Sequence, residues 1–153
     1  MTLEQLLNEK APFLIEEALQ ALSRAHLKHY EEEGAAKRKA QMQALYELTA
    51  ESIKMRDLSK LLDYVQEAAT SYYKDGFDLH EIQMAFNVLE EVVWKNALKE
   101  LPASQYADAL GLISTALGAG KDTLATTYVN LASSRKMPSL DLSELFTGTE
   151  GRN

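Results

Sequence analysis

The sequence predicts an all-α protein, a bundle of about six helices whose last member is long. Three observations predict it. Apolar residues recur at helical spacing in one segment after another. No convincing period-2 stretch interrupts them, and only three prolines and seven glycines punctuate the 153 residues. A chain of this length suits one domain and can bury roughly 70% of the surface its unfolded form exposes. Apolar residues make up 46% and charged residues 25%, the balance of a folded globular chain.

Each helix carries its own signal. Thr2 and Gln5 have the spacing of a capping box, which starts a short helix running to about Lys10. Pro12 suits the first turn of a second helix, where its missing N–H costs nothing. That helix places Ile15, Leu19, Leu22 and His26 on one stripe with Ala18 and Ala25 beside it. It ends near Glu31, Glu32 and Glu33, with Gly34 as a left-handed cap. A third helix, about 36–56, turns Met42, Leu45, Tyr46, Thr49 and Ile53 inward. A fourth, about 58–75, repeats Leu58, Leu61, Leu62, Val65, Ala69 and Tyr72 and stops at Gly76.

Asp78 followed by Glu81 three residues on marks the next N-terminus. The helix it opens is apolar on most sides, with Ile82, Ala85, Phe86, Val88, Leu89, Val92 and Val93, and such a helix belongs in the middle of a bundle. After Leu101 and Pro102 the last helix keeps Tyr106, Leu110, Ile113, Leu117, Leu124, Tyr128 and Leu131 in phase. The phase survives Gly118-Ala119-Gly120, so one helix with a soft point is expected. Each glycine costs about 1 kcal/mol against alanine there. Either close packing against another helix compensates, or the site is a local kink. Gly118, Gly120, Leu124 and Tyr128 are accordingly the candidate helix-packing or dimer residues. Met137-Pro138 ends the helix. Residues 1–135 form the predicted helical domain, and 136–153 a tail that is either disordered or docks Leu140, Leu142, Leu145 and Phe146 on a groove.

The chain has no cysteine, which removes disulfides, thiolate metal sites and cysteine nucleophiles and fits a reducing, cytoplasmic setting. No run approaches the roughly 18 apolar residues of a bilayer span, and the start lacks the basic and apolar blocks of a signal peptide. Net charge is -7, which disfavours phosphate backbones, so nucleic acid is not an expected partner. The basic run Lys37-Arg38-Lys39 reads as a solvated helix start.

No catalytic or metal-binding constellation is found. A di-iron bundle needs Glu-x-x-His pairs, but the residues three before the histidines are Ser23, His26 and Phe77. His80-Glu81 begins like a zinc-protease motif, yet Met84 stands where its second histidine belongs. Gly118-Ala119-Gly120-Lys121 is followed by Asp122 where a phosphate loop needs Ser or Thr, and Thr115 replaces its first glycine. Glu47/Glu51 and Asp63/Glu67 read as solvated surface pairs, and His26 and His29, one turn apart, as structural or interfacial histidines. Tyr30, Tyr72, Tyr73, Phe86 and Trp94 form an aromatic set. Such sets usually build core, and their pocket-lining alternative gives His26, Tyr30, Tyr72 and Phe86 as candidate ligand residues. No cofactor is implied, and the chain is expected not to be an enzyme.

Six helices with an almost wholly apolar fifth and a long sixth suggest a globin-like packing. The stretch Tyr73-Lys74-Asp75-Gly76-Phe77-Asp78-Leu79-His80-Glu81-Ile82-Gln83-Met84-Ala85-Phe86-Asn87-Val88-Leu89-Glu90-Glu91 sharpens this. It resembles the aromatic–Gly–Leu–Glu segment and following Leu-Glu-Glu turn in the N-terminal sensor domains of the stressosome RsbR proteins, the RsbT co-antagonists, and the helix order over 12–134 agrees. The resemblance implies a globin fold without haem, a homodimer formed through the last helices, and a bacterial stress-signalling protein as partner. The family's proteins continue into an output domain, and the sequence leaves open whether this chain is free-standing. The alternative is a haem-binding gas sensor with His80 or His26 as ligand. Only Lys74-Asp75-Gly76-Phe77 separates the fourth and fifth helices, too few residues for the helix that carries a proximal histidine.

Overall fold

Thr2 and Gln5 satisfy each other's backbone N–H groups, at 2.8 and 3.2 Å, and so start the first helix. The structure, a computed structural model, describes residues 1–136, and the expectations for the tail lie outside the described residues. Every regular element described is helical. In chain order they are α1 (Leu3–Glu9), α2 (Ala11–Arg24), α3 (Lys28–Glu33), α4 (Ala35–Met55), α5 (Ser59–Lys74), α6 (Leu79–Glu100) and α7 (Tyr106–Lys136), with a 3-10 turn at Ala103–Gln105 before α7.

The described residues therefore hold seven α-helices where about six were expected, because the second predicted helix breaks. Its backbone turns at His26, which takes a left-handed φ of 51°. The N–H groups of Ala25 and His26 reach back only three residues, to Leu22 and Ser23. Leu27 then runs extended as the residue before α3. The gain from the break is burial: Leu27 and Tyr30 enter the core, which a straight helix through His26 would not allow.

The end of α5 is built by Gly76, whose φ of 88° only glycine adopts without strain. The Gly76 N–H donates to Tyr73 O at 3.2 Å and the Phe77 N–H to Tyr72 O at 3.0 Å. This is the bond pair of a Schellman cap, and its accompanying apolar contact is Tyr72 against Phe77, ring centres 5.0 Å apart. Asp78 and Glu81 then cap α6 as the sequence predicts.

α6 is buried along its length, with Ile82, Ala85, Phe86, Val88, Leu89, Val92, Val93 and Ala97 all in the core. Each large apolar side chain so placed contributes about 1.5–3 kcal/mol. The helix packs on α2 on one side and α7 on the other. α7 also meets α5 and reaches across to α4, α5 meets α4, and α4 returns to α2. Five helices thus close a ring in the order α2, α6, α7, α5, α4. At one end α1 lies across it, with the Tyr46 hydroxyl donating to Leu7 O at 2.5 Å. At the other end lies α3, with the Arg38 guanidinium donating to Tyr30 O at 2.7 Å. α7 runs through Gly118 and Gly120 without interruption, 31 residues in all, or about 46 Å at 1.5 Å per residue.

Candidate functional site

Inside the ring, toward the α3 end, lies a cavity of about 30 Å³. Leu22 of α2, Met42 and Leu45 of α4, Val65 and Ala69 of α5, Ile82 and Phe86 of α6 and Leu124 of α7 supply its apolar wall. Tyr30, Tyr64 and Tyr72 add aromatic faces and hydroxyls, while Arg38 and Gln41 bring polar groups. The space holds one or a few water molecules, far short of a porphyrin.

Phe77 closes this end. Its ring centre stands 5.1 Å from that of Tyr30, 5.0 Å from Tyr72 and 5.2 Å from His29. Its carbonyl accepts a 2.9 Å hydrogen bond from the buried Tyr128 hydroxyl of α7. Burial, with the nearby Glu33 carboxylate, raises the Tyr30 hydroxyl well above the ordinary phenol range, and burial raises Tyr72 likewise. Both hydroxyls stay protonated throughout the physiological range.

Glu81 ties the same end together. Its Oε1 accepts the His29 N–H at 2.9 Å, and its Oε2 accepts the Asp78 N–H at 2.9 Å and sits 2.5 Å from His29 Nδ1. Burial opposes ionisation of this carboxyl, but the hydrogen bonds from Asp78 and His29 outweigh it and hold it below the usual carboxylate range. The group joins α3 to the first turn of α6.

Tyr30, Tyr72 and Phe86, expected as pocket residues, share the cavity wall. His26 does not join them. The break before α3 turns its side chain out, 80% exposed, where it pairs with Glu31 at 2.9 Å. His80 is exposed in the first turn of α6, so neither candidate haem ligand faces the cavity. Trp94 lies 43% exposed on the outer side of α6, and Tyr73 packs edge-on against Tyr128, ring centres 5.4 Å apart. Neither lines the cavity.

The four candidate packing residues on α7 divide. A Cβ at Gly120 would stand 2.8 Å from Phe86 Cε2, so the α7 backbone lies close against the Phe86 ring of α6 here; Gly118 has nothing within 4 Å of that position. Leu124 lines the cavity and Tyr128 holds the Phe77 carbonyl, so both face the protein's own interior.

Four wall residues escaped the sequence reading: Tyr64, Ala68, Gln41 and Arg38. Tyr64, with Ala68 and Tyr72 at intervals of four, lies on the cavity side of α5, and that spacing is the signal that finds it. Arg38 belongs to the run read as a solvated helix start. Lys37 and Lys39 do face water, whereas Arg38 is half-buried on Tyr30 O.

Among the described residues no three His, Cys, Asp or Glu side chains stand close enough to hold a metal ion. No helix described is long and apolar enough to cross a membrane. No protein-family model, no curated protein and no solved structure matches this chain.

Proposed function

We propose that this protein is a non-enzymatic signalling module, a sensor or interaction domain of the non-haem globin type related to the N-terminal domains of stressosome RsbR proteins. It acts in the cytoplasm as a homodimer and engages a regulatory protein of the bacterial stress-response type. The observation that carries this reading is the position of Phe86. One part of its ring forms the cavity wall, and its Cε2 edge lies against the α7 backbone at Gly120. A change in what fills the cavity moves the ring, and with no side chain at Gly120 to absorb the motion, α7 moves with it. Close-packed interiors transmit such displacements because they have few voids to take them up.

α7 suits the output role. It passes the full length of the ring and carries Val129 outward near its C-terminal end, 59% exposed. An apolar residue in that place favours association through the last helices. Light scattering of the purified chain at micromolar concentration tests the reading. A dimer is expected, and a strict monomer across the accessible concentration range overturns the homodimeric part.

A further inference from the structure

The polar groups in the cavity wall are bonded within the protein. The Arg38 guanidinium donates to Tyr30 O at 2.7 Å, and the Gln41 amide donates to Glu33 Oε1 at 3.2 Å. The Tyr72 hydroxyl is paired with that of Tyr30. Gln41 Oε1 lacks a partner of this kind, but burial raises the neighbouring Glu33 carboxyl, whose own O–H can meet it. The surface turned to the space is therefore almost wholly apolar.

Such a wall selects by polarity, size and access. A buried water makes about three hydrogen bonds, and the Tyr64 hydroxyl and Gln41 Oε1 together fall short of that number. An apolar occupant needs none, and it gains dispersion from side chains that otherwise face a void. The space, about 30 Å³, takes a body on the order of two heavy atoms, since one water-sized probe fills roughly 10–15 Å³ of it. A ring or a long chain is too large. Access lies between α4 and α5, where Arg38, Gln41, Tyr64, Ala68 and Tyr72 are all half-buried. A small molecule passes there without opening the fully buried core.

We propose that the cavity is a binding site for a small apolar molecule of gas size, a diatomic gas or a two-carbon hydrocarbon, held by dispersion against Leu45, Val65, Ile82, Phe86 and Leu124. This rests on the sensor reading in taking the cavity as the input, and it names the class of signal. The competing occupant is a single water molecule.

The test is an NMR titration of the full chain with xenon and with ethane under pressure. Helium serves as the pressure control, and ethanol as the ligand with the same carbon frame and a hydroxyl. Saturable shifts of the Leu45, Val65, Ile82 and Leu124 methyl signals are expected with xenon and ethane and not with helium. Ethanol should bind at least about tenfold more weakly than ethane, because its hydroxyl finds no partner. Ala68→Leu places a larger side chain at the half-buried edge of the cavity and should abolish the shifts. Val65→Ala enlarges the space and should strengthen ethane binding, so the test stands even if the bulkier variant fails to fold. No saturable shift with xenon, shifts spread over surface methyls, or equal binding of ethanol overturns the inference. Undiminished xenon binding by a folded Ala68→Leu, or ethane binding unchanged in Val65→Ala, overturns it as well. Light scattering of the same samples keeps the two readings apart. A dimer indifferent to xenon sinks this inference alone, and a monomer that binds xenon sinks the association alone.

Discussion

Glu81 accepts three hydrogen bonds with two oxygens, and the stability it confers follows its charge. Its folded-state carboxyl titrates below the unfolded value of 4.5. The unfolded chain therefore binds the proton first as pH falls, and the contribution, complete above pH 4.5, is lost as pH drops through the lower folded value. Glu81→Gln should cost about 2 kcal/mol near neutrality, the scale of charged hydrogen bonds lost in a buried setting. Urea unfolding at neutral and acidic pH checks this. The gap between variant and wild type should narrow in acid, and a gap of constant size would refute the assignment. The cap role of Glu81 was legible from its three-residue spacing to Asp78. Its bond to His29 was not, because the two stand 52 positions apart and no local pattern encodes a contact at that separation. The tyrosines were legible as a class, yet which of them face the cavity depends on the rotation of each helix. Trp94 shows this, having the right chemistry on the wrong side of α6.

Among the elements, α4 and α6 were the most readable. Met42, Leu45, Tyr46, Thr49 and Ile53 are all buried, as are the seven α6 residues expected inward, because a helix packed along one or more faces writes its period into its apolar positions. The division of α2 from α3 left no such trace. Ala25, His26 and Leu27 include neither glycine nor proline, and the stripe stays in register up to His26, so the break comes from tertiary burial of Leu27 and Tyr30. The glycines of α7 offer a direct test of the approach between α6 and α7. Gly118→Ala should stabilise by about 0.5–1 kcal/mol, since it improves helix propensity and meets nothing. Gly120→Ala gains the same propensity but forces a methyl into the Phe86 ring. Overpacking of that kind costs about 1–3 kcal/mol, so the net effect is destabilising. Thermal melts of the two variants should move in opposite directions, and a shared direction would mean that Gly120 is not a close contact.

At the scale of the whole molecule, helical class and the long last helix could be read from periodicity, whereas the cyclic order of the five helices could not, since it depends on which faces meet across long separations. α5 and α6 follow each other in the chain, yet they are bridged by α7 instead of packing along each other's lengths. The ring therefore has no closed core until α7 is in place. A chain ending at Gln105 should keep much helical circular dichroism, lose cooperative melting and bind a hydrophobic dye, the behaviour of a compact state without fixed packing. Cooperative unfolding of that shortened chain would show that α7 is dispensable to the core. The same dependence has a bearing on synthesis. A ribosome delivers the closing wall after the other four, so Val65, Phe86 and Leu89 remain open to the crowded cell until α7 has emerged. Through that interval the half-made protein is a client for chaperones.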